Sequence, residues 1–326
     1  MSDYQGTYTT NLNLSKDSID DSYDVERVNS NSDKIDKWAG EITTQLKDLA
    51  NPSILINGDF RKPINQRGKS SYNVNGEYTI DRWRFINDNN GTMTINDGYI
   101  SISNGVANNT YLQYNYDTDM KVLEGEKVTF TIVYKSTATY RLSSFIGSAE
   151  EDVNIYLTPI DDWTVKTLTL DLSSWKYSIG KVESSIILQS YDGSSFTNGT
   201  LDVKYIKLEL GSVATPFIPR LYGEELALCQ RYYYRWGNER ARYRAVGING
   251  NQLFFFVPLP TTLRIIPTIN NAFSINTLSG AGVSDFTFAV NIVPMGMIVH
   301  ATKSTHGMSD GQLMLSDDGS LDAEIY

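Results

Sequence analysis

The amino-acid sequence predicts a mainly β protein: a short N-terminal helical (coiled-coil) stalk, a jelly-roll β-sandwich, a linker helix and a C-terminal β-sandwich head. Three observations carry that prediction. Apolar residues alternate with period two over 129–134, 163–170 and 203–210, the mark of half-buried antiparallel strands. Turn pairs such as Asn90-Gly91, Asp97-Gly98, Glu124-Gly125, Asp192-Gly193 and Asn198-Gly199 punctuate the same stretch at near-regular spacing, as sandwiches and jelly rolls require. Before Pro52 the period is different: Val28, Ile35, Ile42 and Leu49 recur every seven residues.

Taken in order, residues 1–22 are polar and read as an attachment segment. Residues 23–51 form the helical stalk. Its apolar seam comprises Val28, Ile35, Trp38, Ile42 and Leu49, with Asn31 and Gln45 at companion positions. So few heptads do not make a stable isolated coiled coil. The two readings are a short stalk joining parallel chains and an amphipathic helix lying on the module beside it. Asn51-Pro52 ends the helix, because a residue before proline is pushed out of the α region. Residues 52–215 form the jelly-roll module, opening with a strand at 54–56 and a turn at Asn57-Gly58-Asp59. Residues 216–236 hold a proline-stiffened connector and a helix from Gly223 to about Tyr234. Residues 237–326 return to strands around an Asn249-Gly250 hairpin turn, with no helix.

A net charge of −10 and a pI near 4.8 argue against the basic footprint of a nucleic-acid binder. The cluster Arg231, Arg235, Arg240, Arg242 and Arg244 is short and interleaved with tyrosines, and reads as solvated strand and helix faces. The single cysteine, Cys229, sits in an apolar run and reads as a small core residue. No signal-peptide pattern opens the chain and no apolar run approaches the ~18 residues of a membrane span. The expectation is cytoplasmic synthesis without membrane insertion.

Three stretches resemble tail-fibre or receptor-binding proteins of bacteriophages and phage-tail-like bacteriocins. The first is Thr10-Asn11-Leu12-Asn13-Leu14 followed by Asp33-Lys34-Ile35-Asp36-Lys37-Trp38. The second is Asn57-Gly58-Asp59-Phe60 with Asp81-Arg82-Trp83. The third runs from Lys207-Leu208-Glu209-Leu210-Gly211-Ser212 through Pro216-Phe217 and Tyr222-Gly223-Glu224-Glu225-Leu226 to Gln230-Arg231-Tyr232-Tyr233. The opening and closing strands also resemble those of jelly-roll carbohydrate-binding modules. The resemblance implies a homotrimeric fibre in a virion or phage-like particle. Its N-terminus would join tail or baseplate proteins, and its C-terminal domain would face a bacterial surface polysaccharide or teichoic acid.

Enzymatic chemistry finds little material. His300 and His306 are the only histidines, and no nucleophile, metalloprotease or phosphate-loop motif occurs. Adjacent acids such as Asp161-Asp162 point to opposite faces of a strand, so they do not form a hydrolytic couple by themselves. No cofactor is required. A structural Ca²⁺, implied by the resemblance to jelly-roll modules, would take oxygen donors from Asn57, Asp59 and Asp202; the competing reading is a turn whose Asn57 and Asp59 bond their own backbone. Sugar binding needs exposed rings beside amides and charges. The candidates are Tyr111, Tyr114, Tyr116, Trp163, Trp175 and Tyr191 in the first module and Tyr243, Phe254, His300 and His306 in the last, with Trp83 and Trp163 better assigned to the core. The expected function is adhesive glycan recognition at the C-terminal domain. A surface-polysaccharide depolymerase and a non-binding spacer are the alternatives.

Overall fold

The computed structural model describes residues 7–8, 12, 14–16, 25–48, 51–88, 91–104, 109–145, 153–174, 185–236, 242–270, 273–277, 282–293, 296–308, 311–315 and 319–324. The chain divides into two compact units, residues 1–52 with 214–218, and residues 53–213 with 219–326.

In the first unit a hairpin of β1 (Thr7–Tyr8) and β2 (Ser15–Lys16) precedes α1 (Val25–Asp48). At 1.5 Å per residue α1 is roughly 36 Å long. Val28, Ile35, Trp38 and Ile42 are 40, 46, 47 and 37% exposed, so the seam read from the heptad spacing lies open in the single chain. Leu49 is outside the described residues.

The second unit begins with the sandwich. Its strands are β3 (Ser71–Tyr72), β4 (Glu77–Tyr78), β5 (Trp83–Asn87), β6 (Gly91–Asn96), β7 (Tyr99–Asn104), β8 (Thr110–Asn115), β9 (Lys127–Ser136), β10 (Tyr140–Phe145), β11 (Val153–Leu157), β12 (Ile160–Asp171), β13 (Ser185–Gln189) and β14 (Gly199–Leu210). They form two antiparallel six-stranded sheets, ordered β11-β10-β13-β8-β5-β4 and β12-β9-β14-β7-β6-β3. Alternate residues point inward, as the period of two demands: Trp83 and Phe85 on β5, Leu112 and Tyr114 on β8, Phe130, Ile132 and Tyr134 on β9, and Ile206 and Leu208 on β14 are all buried in one core.

The segment 54–56 is not the strand that its apolar run suggests. Ile54 N–H donates to the Leu208 carbonyl and Ile206 N–H to the Gly58 carbonyl, but Asn57 between them has φ 58° and turns the chain away from the ladder. Gly58 is required at the turn, because a Cβ there would drive into the Ile206 carbonyl oxygen.

After the connector, α2 (Tyr222–Gln230) is shorter than the helix expected to reach Tyr234. Tyr233–Arg235 instead forms β15, pairing with β24 (Ser320–Asp322), in keeping with the strand preference of an aromatic run. The remaining strands are β16 (Arg242–Ile248), β17 (Gln252–Pro258), β18 (Thr268–Asn270), β19 (Phe273–Asn276), β20 (Gly282–Val283), β21 (Thr287–Val293), β22 (Gly296–Thr302) and β23 (Gln312–Leu315). They make a three-stranded sheet, β15-β24-β18, and a seven-stranded sheet, β20-β19-β23-β16-β17-β22-β21, around their own core of Phe255, Val257, Met297, Val299 and Leu313. Cys229 is buried with Ile56, Ile64 and Tyr232, and burial pushes its thiol pKa up, so it packs rather than reacts.

The two β modules are joined by a buried polar hub centred on Asp81 and Arg82. Arg82, with φ 73° and no exposure, donates to Glu324 at 2.7 Å and to the Asn115 carbonyl at 2.7 Å. Its guanidinium lies 3.6 Å from the Tyr232 ring centroid and 4.8 Å from that of Tyr114. Asp81 accepts from Arg67 and Gln66, and Arg67 also lies 3.6 Å from Glu324. Gln66 Nε2 donates to the Tyr233 carbonyl, Arg235 to the backbone of Gln66 and Arg67, and Arg264 to Asp117. Asn57 donates to the Ile64 and Asp81 carbonyls, and accepts from Ile64 N–H.

Burial pushes the Asp81 carboxyl up to about 7, against the opposing pull of Arg67 and Gln66. The folded state therefore binds an extra proton between the unfolded value, near 4, and pH 7. Stability from this group is full below pH 4 and falls as pH rises towards 7, by up to about 1.4 kcal/mol per pH unit. Urea denaturation of the full chain at pH 5.0 and 7.5 is expected to show that loss, and Asp81→Asn is expected to remove it.

Candidate functional site

The outer face of the first sheet carries a row of polar and aromatic side chains. Register pairs Tyr156 on β11 with Arg141 on β10, Arg141 with Gln189 on β13, Gln189 with Tyr111 on β8, and Tyr111 with Ile86 on β5. The neighbours of each along its strand, such as Leu142, Leu188 and Leu112, are buried, so the row points away from the core. With strands about 4.8 Å apart, it is roughly 19 Å long. A parallel row holds Asn154, Ser143, Ile187, Gln113 and Arg84.

Hydrogen bonds order the face. Arg141 Nη2 donates to Gln189 Oε1, Gln189 Nε2 donates to Asn109 Oδ1 at 2.7 Å, and Ser143 Oγ donates to Asn154 Oδ1 at 2.6 Å. Arg141 also lies 4.5 Å from the Tyr191 ring centroid, and Tyr191 packs edge-on against Phe196 at 5.7 Å. The loop 191–196 closes this end. Backbone and hydroxyl hydrogen bonds from Ser194, then Ser195, hold the Asp192 carboxyl down to about 2. Gly193, at φ 106°, passes close over Tyr156: a Cβ there would lie 3.0 Å from the Tyr156 hydroxyl. Burial raises the Tyr111 pKa, with Arg84 opposing, so its hydroxyl stays a donor. Rings, amides and a guanidinium on a solvent-facing row suit apolar ring faces on one side and hydroxyls on the other.

The structure distributes the sequence candidates differently. Tyr191 belongs to this face. Tyr114 and Tyr116 are corrected to core residues, at 2 and 9% exposure, because β8 turns Tyr114 inward against Trp83 and Tyr116 packs against Tyr114. The Tyr114 hydroxyl accepts from Ile56 N–H, and Tyr116 meets Ser144 Oγ at 3.1 Å. Trp175 is outside the described residues. Trp163, expected in the core, stands half-buried on a β-bulge of β12, with Lys204 and Lys135 at 4.2 and 5.3 Å from its ring centroid. Asp161 and Asp162 are exposed on the same bulge.

In the terminal module Tyr243, His300 and His306 do not converge. Tyr243 leans on the second core. His300 packs edge-on against Phe254 at 4.9 Å and lies 3.3 Å from Asn291 Nδ2. His306 clamps a loop: Nε2 donates to the Asn249 carbonyl at 2.7 Å while Nδ1 accepts from Met308 N–H at 3.0 Å. The calcium donors each have other work. Asn57 bonds backbone, Asp59 pairs with Arg61 at 2.6 Å, and Asp202 accepts from Ser101 and pairs with Lys135 at 3.3 Å. Among the described residues no three His, Cys, Asp or Glu side chains gather to hold a metal.

Sequence reading missed Arg141, Gln189 and Tyr156. Their only local signal is an outward-facing side chain between buried neighbours, as in Tyr140-Arg141-Leu142 and Ile155-Tyr156-Leu157; strand pairing is what puts them in one row.

No protein-family model matches the chain, and no curated protein does. Among solved structures the chain is similar to carbohydrate-binding modules. The apo CBM1 module of BiXyn10A matches at 17% identity and a TM-score of 0.29, over 46% of this chain and 94% of that one. A CBM4 structure matches at 15% and 0.30, over 40% and 95%. A family 29 carbohydrate-binding module matches at 14% and 0.28, over 43% and 86%. At such identities and scores the likeness decides neither the ligand nor the role of this chain; what stands by itself is a mainly β chain built on antiparallel sandwich sheets, with a ring-and-amide row on an outer face.

Proposed function

We propose that the chain is a non-catalytic glycan-binding protein, carried in several parallel copies as a fibre of a phage tail or phage-tail-like particle. The observation that carries the glycan reading is the row Tyr156, Arg141, Gln189 and Tyr111 on the outer sheet face. This reading puts the receptor contact on the sandwich and not on the C-terminal domain; what supports it is that Tyr243, His300 and His306 each make packing or loop contacts. The open seam of Val28, Ile35, Trp38 and Ile42 supports assembly of copies, because an uncovered apolar stripe is covered most simply by the same stripe on another chain. The three phrases that resemble those of tail fibres support the particle setting. Linked copies raise the effective concentration of weak single sites at a cell surface.

The test is retention of the full chain on immobilised polysaccharides, with polygalacturonate, its methyl ester, poly(glycerol phosphate), mannan and dextran as the panel. Binding without shortening of the polymer is expected, and Tyr111→Ala and Tyr156→Ala are each expected to weaken it roughly 3- to 10-fold. Absence of binding to the whole panel, or variants that bind like the parent, removes the reading. Released shorter chains would make the protein a depolymerase instead. A strictly monomeric mass by light scattering at micromolar concentration would remove the multi-copy stalk.

A further inference from the structure

Resting on the glycan reading of the same face, we propose that Arg141 selects a glycan bearing an acidic group, carboxylate or phosphate, at its position on the row. The juxtaposition is specific. Arg141 stands between Tyr156 on one side and Gln189 on the other, and its guanidinium lies 4.5 Å from the ring centroid of Tyr191. Its Nη2 is engaged with Gln189 Oε1, while its Nε is buried with no hydrogen-bond partner. No carboxylate pairs with it among the described residues.

A guanidinium without a counter-ion, partly desolvated and held by an aromatic ring and an amide, is organised to receive an oxyanion. The carboxylates near the row do not neutralise it. Asp192 spends its oxygens on Ser194 and Ser195 within its own loop. Asp88 acts at the other end of the row, where its charge and that of Arg84 bear on Tyr111. Gln189, fixed by Arg141 on one side and Asn109 on the other, offers an amide beside the same spot for the hydroxyls flanking an acidic substituent. Tyr156, at 37% exposure, supplies the ring on the far side. The arrangement thus reads a charge and its neighbouring hydroxyls together.

The test uses the full chain on the same polysaccharide panel. Polygalacturonate and poly(glycerol phosphate) are the acidic members, and methyl-esterified polygalacturonate keeps the skeleton without the charge. At least one acidic member is expected to bind at least 10-fold more tightly than the ester, with binding weakened by added salt. Preference for polygalacturonate assigns a carboxylate, and preference for poly(glycerol phosphate) assigns a phosphate. Arg141→Gln is expected to abolish the preference and Arg141→Lys to keep part of it, which separates charge from a collapse of the face. If the ester, mannan or dextran binds as well as the acidic members, or Arg141→Gln keeps the preference, the inference is overturned while glycan binding stands. If no member binds, both readings fall.

Discussion

Replacing Glu324 by alanine is expected to destabilise the folded chain by about 3–5 kcal/mol, the cost of leaving a buried charge without its partner. Arg82 and Glu324 are both fully buried, and their side chains meet at 2.7 Å. Glu324 also accepts from the Arg82 backbone N–H at 3.1 Å and lies 3.6 Å from Arg67. Its removal strands a guanidinium that water does not reach, and an amide donor with it. The pair itself need not be a net gain over apolar residues. The double variant Arg82→Met with Glu324→Leu is therefore expected to recover most of the loss, short of it by the Arg82 backbone N–H that Glu324 now accepts from. Urea denaturation monitored by tryptophan fluorescence distinguishes the cases: a lowered midpoint at unchanged slope for Glu324→Ala, and a midpoint near the parent for the double variant. A single variant that unfolds like the parent would show that the hub does not hold the two modules together.

Trp83→Ala is expected to cost about 3–5 kcal/mol, towards the upper end of that range. Trp83 is fully buried at the start of β5, edge-on to Phe60 at 5.0 Å and tilted against Tyr114 at 5.1 Å. Its indole N–H donates to the Asn57 carbonyl at 2.9 Å, so truncation opens a cavity and orphans a buried acceptor together. Trp83→Phe keeps much of the ring and loses the hydrogen bond, and is expected to cost about 1–3 kcal/mol. Thermal denaturation of the two variants separates packing from hydrogen bonding; equal losses would assign the whole effect to the bond.

The alternation at β9, β12 and β14 made the sandwich legible, because side-chain direction follows directly from a period of two. The helix over Val25–Asp48 was legible for the equivalent reason, through its heptads. Of the candidate face, Tyr111 and Tyr191 were legible as aromatics, but the row that joins them was not. Tyr114 is one residue from Gln113 and three from Tyr111, yet faces the core while those two face solvent. Sequence names the aromatics but gives no parity for a short strand until its neighbours are known. Arg141 and Gln189 lie 48 residues apart and meet only through the β10–β13 pairing, a non-local fact. The role of the Asn57-to-Trp83 phrases between the modules was not legible, because their partners are distant in sequence. Their polar residues are buried because they clasp a second module through Gln66, Arg67, Arg82 and Glu324.

Arg82 and Glu324 are separated by 242 positions along the chain. At a ribosomal pace of about 5–20 residues per second, Arg82 emerges some tens of seconds before the carboxylate that neutralises it. During that interval the sandwich strands have left the ribosome while an uncompensated cation sits at the heart of the clasp. The sandwich edge at Arg82 is thus completed only by a segment that lies 242 positions further along the chain.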